Sequence, residues 1–171
     1  MRKALLIIDM QKDFINGALG TKEAQAIVKN VLNRVEKAKK EKMDIIFTKD
    51  THYDNYLETQ EGKKLPVKHC IEGTDGWELC EELKKYETSE NLYKKNTFGC
   101  VELAQDIKDN YDEVELVGLC TDICVISNAM LIKAFNPEIT IKVIQDCCAG
   151  VTPDSHKNAL EAMKMCQIEI I

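Results

Sequence analysis

The chain has 171 residues, with 23 Lys and Arg against 29 Asp and Glu, a net charge of −6, 44% hydrophobic and 30% charged residues. This length predicts one domain, 1–171, that buries about 70% of its unfolded surface without needing disulfides or metals to fold. The acidic balance argues against a nucleic-acid partner, the apolar content argues against disorder, and no apolar run approaches the ~20 residues of a membrane span.

Ala4–Ile8 is a continuous apolar run that stops at Asp9. It reads as a strand buried on both faces. It is too short for an export signal and has no small-residue cleavage site, so a cytoplasmic location is expected. From Ala24 onwards, Ile27, Val28, Val31, Leu32, Val35 and Ala38 recur at helical spacing. Further strands are predicted over Asp44–Thr48, Asn91–Lys94, Glu113–Val117, Thr140–Ile144 and Ile168–Ile171. Ile123–Phe135 is apolar almost all round, which predicts a fully buried helix. Another helix opens with Thr152 as N-cap and Pro153 in its first position, and runs to about Cys166. Strands alternating with helices predict an α/β fold, a parallel sheet covered on both faces. Asp50–Gly76 lacks a clean period and is too long for an ordinary connection, which marks a functional loop or a disordered one.

Ligands of open parallel sheets bind beyond the carboxyl ends of the strands. Asp9 stands at such an end, as a turn-forming residue or as a general base. Asp50-Thr51-His52 follows the next strand, and His69 lies further along the irregular segment. A carboxylate and two imidazoles suit zinc, iron or manganese, although D-x-H also arises by chance. Lys94 and Lys95 follow the weak strand, as solvated surface or as a cation facing an acid and a thiol. Cys124 falls in the first turn of the apolar helix, where the helix dipole lowers a thiol pKa; a buried structural cysteine is the other reading. All eight cysteines are expected to be reduced. Cys147 and Cys148 read as packing residues at the rim of the same cleft.

Several segments together resemble the isochorismatase-like cysteine hydrolases, and within them the nicotinamidase branch. They are Leu6-Ile7-Ile8-Asp9-Met10-Gln11-Lys12-Asp13-Phe14, Thr48-Lys49-Asp50-Thr51-His52, Pro66-Val67-Lys68-His69-Cys70, Lys95-Asn96-Thr97-Phe98-Gly99 and Gly118-Leu119-Cys120-Thr121-Asp122-Ile123-Cys124-Val125. The resemblance implies a three-layer α/β/α fold on a mostly parallel, Rossmann-like sheet. It implies a triad of Asp9, Lys95 and Cys124, with Lys95 preferred over Lys94 because Phe98 follows it by three residues. It implies a cis Leu119–Cys120 peptide and an oxyanion hole from the N–H groups of Cys120 and Cys124. It also implies a divalent metal (zinc, iron or manganese) held by Asp50, His52 and His69, with Glu58, Glu61 or Asp54 as a further ligand. Phe14, Leu65 and Leu119 are the pocket residues, Leu65 standing where the branch usually carries Trp. The implied reaction is hydrolysis of nicotinamide to nicotinate and ammonia through a thioester. The alternatives are another small amide, an enol ether, or a ligand-binding protein without turnover. The expected partner is a small-molecule amide rather than a nucleic acid or a membrane, and family members are often homo-oligomers.

Overall fold

The computed structural model describes residues 1–171. In chain order its elements are β1 (Lys3–Ile8), α1 (Lys12–Ile15), α2 (Lys22–Lys40), β2 (Asp44–Asp50), α3 (Gln60–Lys64), α4 (Glu81–Lys84), β3 (Leu92–Lys95), α5 (Val101–Asn110), β4 (Glu113–Leu119), α6 (Ile126–Phe135), β5 (Thr140–Ala149), α7 (Pro153–Met165) and β6 (Glu169–Ile170). The strands form one sheet in the order β3-β2-β1-β4-β5-β6. Every neighbouring pair is parallel.

Strand alternation builds two cores, because successive side chains point to opposite faces. Leu5 and Ile7 face the stripe of α2, where Ala24, Ile27, Val31, Val35 and Ala38 are buried. Ala4, Leu6 and Ile8 face α5, α6 and α7 through Leu103, Ile107, Ala129, Ile132, Leu160 and Met163. The result is helix, sheet, helix. Thr152 caps α7 with its side chain on the Ser155 N–H, and Ser155 returns the bond in a capping box. No helix is long and apolar enough to cross a membrane.

Several details differ from the sequence expectation. The strand expected at Thr140–Ile144 continues to Ala149 past an irregularity that exposes Gln145 and Asp146, so the apolar signal breaks while the pairing resumes. The C-terminal strand shrinks to Glu169–Ile170. The helix expected from Ile123 begins instead with a wide π-helical turn, Thr121–Val125, before α6. That helix is also only partly buried: Ile123, Ile126, Met130 and Leu131 reach the surface while Ala129 and Ile132 face the core. Finally, α5 carries only three inward apolar positions, Leu103, Ala104 and Ile107, too few to announce a helix.

The sheet order reverses direction between β1 and β4, the place where doubly wound sheets bind ligands. The strand ends come close there. Gly118 has φ +118°, and a Cβ on it would lie 2.1 Å from the Ile8 carbonyl oxygen, so only glycine fits.

Candidate active site

Asp9 leaves β1 with φ +47° and is completely buried. Thr48, its neighbour on β2, donates its hydroxyl to Asp9 Oδ1 at 2.6 Å. Lys95, the last residue of β3, places Nζ 2.6 Å from Asp9 Oδ2 and 3.4 Å from Cys124 Sγ. Cys124 sits in the π-helical turn after β4 and is only 6% exposed. Four consecutive regions of the sheet edge thus converge on one spot. Lys94 points the other way, into solvent, and pairs with Glu72. Asn128 secures the turn: its amide donates to the carbonyls of Cys124 (2.8 Å) and Phe98 (3.1 Å), and its oxygen accepts the Cys100 N–H. The Leu119–Cys120 peptide is cis, and the Cys120 N–H donates to no protein acceptor.

Burial sets the electrostatics. It pushes the Asp9 carboxyl above its ordinary value, against the pull of Lys95. Burial disfavours the Lys95 charge, but Asp9, Cys124 and Asp50 outweigh it and keep the ammonium protonated. Burial pushes the Cys124 thiol well up, with Asp9 adding to the effect and Lys95 opposing it. Desolvation and the Asp9 charge thus work against the lowering expected of a thiol at a helix start.

The second cluster comes from the long segment. Asp50 ends β2, and His52 follows it. The His52 N–H donates to the Cys70 carbonyl and the Glu72 N–H to the His52 carbonyl, which draws His69 alongside. Thr59 caps the short α3 on the Gly62 N–H, and α3 turns Glu61 inward. One ligand atom from each of Asp50, His52, Glu61 and His69 lies within 4.8 Å of the others. Glu61 is thereby singled out from the three candidate acids; Glu58 and Asp54 stay outside the cluster. His69 Nδ1 lies 2.8 Å from the Val67 carbonyl oxygen, so an N–H there donates to it and turns Nε2 towards Asp50 and Glu61. Burial works to raise the Asp50 carboxyl, but hydrogen bonds from His52 and His69 and the Lys95 charge hold it well below the usual range. Two imidazole nitrogens and two carboxylate oxygens fit a zinc, iron or manganese ion.

Tyr56 was not foreseen: it is buried against both histidine rings, at 4.7 and 5.0 Å, and its hydroxyl donates to the Leu65 carbonyl. The Phe14 ring lies 5.5 Å from that of His69, and Leu65 is 38% exposed at the surface of the loop. Leu119 is a correction: it is buried among Leu5, Ile7 and Val117 under α2, because β4 runs on through it and turns its side chain to that face. Cys147 and Cys148 are packing residues, one in each of the two opposite cores, with Cys148 paired in register to Gly118. All eight cysteines are free, and Cys166 alone is exposed. A cavity of about 360 Å³ adjoins Lys95, lined by Thr51, Tyr53, Asn96 and Thr97 among others. A larger one, about 540 Å³, lies at the opposite end of the sheet among the paired charges of Lys3, Glu113 and Lys142, away from both clusters.

The isochorismatase domain profile matches residues 3–171. The chain is 26% identical to the nicotinamidase/pyrazinamidase of Mycobacterium tuberculosis, over 99% of this chain and 98% of that one. The crystal structure of a nicotinamidase/pyrazinamidase from Bacillus subtilis superposes with a TM-score of 0.84 at 28% identity, covering 99% of each chain. The pyrazinamidase of Pyrococcus horikoshii, solved in complex with zinc, gives 0.83 at 27% identity over 100% of this chain and 99% of that one. The chain belongs to the isochorismatase family, in the nicotinamidase branch of amide-hydrolysing enzymes.

Proposed function

We propose that this chain is a cysteine amidohydrolase that converts nicotinamide to nicotinate and ammonia, acting as one catalytic domain with a divalent metal. The observation that carries the reading is the contact of Asp9, Lys95 and Cys124 on the same sheet edge as the four-ligand cluster. Lys95 touches both groups of residues, lying 3.6 Å from Asp50 Oδ1.

The triad chemistry follows from burial. A thiol pushed up by desolvation does not ionise unaided at neutral pH. It needs a base within reach, and a carboxylate raised above its ordinary value is a better one. Asp9 takes the Cys124 proton, and Sγ attacks the amide carbon. The N–H groups of Cys120 and Cys124 receive the oxyanion. Asp9 returns the proton to the leaving nitrogen, the C–N bond breaks, and ammonia departs. Asp9 then draws a proton from water; the hydroxide adds to the thioester, the C–S bond breaks, and the acid leaves with the thiol restored. Lys95 keeps Asp9 ionised between the steps. Asp50, His52, Glu61 and His69 would hold the metal, which when bound supplies a Lewis-acid anchor for the pyridine nitrogen. Phe14, packed on His69, offers an aromatic wall for the ring.

The test is ammonia release from nicotinamide by the purified protein, with metal content read on the same sample. Ammonia together with about one metal per chain, as a four-ligand site holds, is the expected result. Metal without ammonia would discard nicotinamide and direct attention to other small amides, to which Leu65 in place of Trp would then point. Neither metal nor turnover, after addition of zinc, iron and manganese, would favour a binding protein.

A further inference from the structure

We propose that Gln11 and Asp13 are positioning residues that hold the metal-binding segment in its liganding shape by gripping its backbone. The inference rests on reading Asp50, His52, Glu61 and His69 as a metal site.

β1 and β2 pair in register only as far as Ile8 and Thr48. At Asp9 the backbone turns out of the sheet, while β2 continues to Asp50. Asp50 therefore loses its strand partner on the β1 side. The fully buried Gln11 side chain takes that place. Its Oε1 accepts the Asp50 N–H at 2.8 Å and its Nε2 donates to the Asp50 carbonyl at 2.8 Å. The same Nε2 donates to the Trp77 carbonyl at 2.9 Å, which ties down the far end of the segment. Only a primary amide of this length both donates and accepts here: a carboxylate lacks the donor, and asparagine is one methylene short.

Asp13 does the equivalent for the histidines. Its Oδ2 accepts the Cys70 N–H at 2.8 Å, one residue after His69, where the backbone has φ +47°. The Cys70 carbonyl in turn accepts the His52 N–H at 2.9 Å. Gln11 and Asp13 thus fix the backbone at or beside three of the four ligands, although neither offers an atom to the cluster. A metal site whose ligands are pre-aimed binds more tightly than one that must be assembled, and losing such a supporting partner typically costs 10–100-fold in affinity.

The experiment measures zinc affinity by competition with a chromophoric chelator, the visible spectrum of the cobalt-loaded protein, and the thermal midpoint of the metal-free protein. Gln11→Glu keeps the size of the side chain and removes the donor; Asp13→Ala removes the acceptor for Cys70. Each is expected to weaken zinc by about tenfold or more and to alter the cobalt spectrum. Asp13→Asn, which retains an acceptor oxygen, is expected to stay close to the wild type. Folded variants with wild-type zinc affinity and an unchanged cobalt spectrum would overturn the proposal. So would a lowered midpoint with unchanged affinity, because the role would then be structural only. If Asp13→Ala does not fold, Gln11→Glu carries the test alone. Wild-type protein that takes up neither metal would remove the metal reading itself, whereas wild-type binding with unaffected variants would remove only this inference.

Discussion

Lys95→Met tests the buried ion pair directly. Lys95 Nζ lies 2.6 Å from Asp9 Oδ2, with the two side chains 1% and 0% exposed. Methionine keeps most of the length and apolar stem but strands the carboxylate. Breaking one side of a buried pair costs about 3–5 kcal/mol. Lys94→Met, which removes a half-exposed partner of Glu72, should cost no more than about 1 kcal/mol. The domain has about 5–15 kcal/mol to lose, so both variants should remain folded enough to measure. The pH dependence adds a second readout. Asp9 is already raised by burial, and removing the cation that opposes burial raises it further. A carboxyl raised in the folded state brings no penalty below its unfolded value near 4. It costs up to about 1.4 kcal/mol for each further pH unit until the folded pKa is passed. Urea unfolding of wild type and variant should therefore show a large deficit at pH 8 that narrows at pH 5. Asp9→Asn combined with Lys95→Met should recover most of the stability while remaining inactive. A deficit no larger than that of Lys94→Met, or equal at the two pH values, would refute the pairing argument.

Cys124→Ala should abolish ammonia release while leaving the urea midpoint within about 1.5 kcal/mol of wild type, because the side chain loses one small atom inside a packed turn; residual turnover would reassign the nucleophile. Burial raises the thiols of Cys70, Cys120, Cys124 and Cys148, that of Cys120 to about 12. The unfolded chain releases those protons near pH 9 while the native state keeps them, so stability falls as pH rises past that point. One unit higher, each thiol costs about 1.4 kcal/mol and the four together about 5.6 kcal/mol. Equal urea midpoints at pH 8 and pH 10 would contradict it.

The parts of the fold legible in the sequence were those with a continuous signal. The Leu5–Ile8 run and the stripe from Ala24 to Ala38 reach the structure almost unchanged, because burial on both strand faces and on one helix face leaves few alternatives. The apolar signal of β5 runs only as far as Ile144, since Gln145 and Asp146 bulge into solvent before Cys147 resumes the buried pattern. At the candidate site, strand-end positions single out Asp9, Lys95 and Cys124, with the family resemblance deciding between Lys94 and Lys95, and the structure brings the three into contact. Glu61 could not be separated from Glu58 and Asp54, because the separation depends on how the short α3 turns. Gln11, Thr48, Tyr56 and Asn128 act through contacts to distant backbone, histidine rings or the Asp9 carboxyl, and no periodic pattern announces such contacts. Sequence reveals a helix start at Cys124 but not how dry it is, so the burial that raises the thiol has no signal there.

The uneven exposure of the cysteines matters at the bench. A maleimide or disulfide reagent added to native protein near neutral pH meets Cys166 first, since the other thiols are buried or partly covered. Modification of one thiol per chain with full activity is thus the result to expect, and it says nothing about Cys124. In air, two chains can couple through Cys166 and run as a covalent dimer on a non-reducing gel. A Cys166→Ser background, kept in a mild reductant, is the preparation in which the slow reaction of Cys124 can be timed.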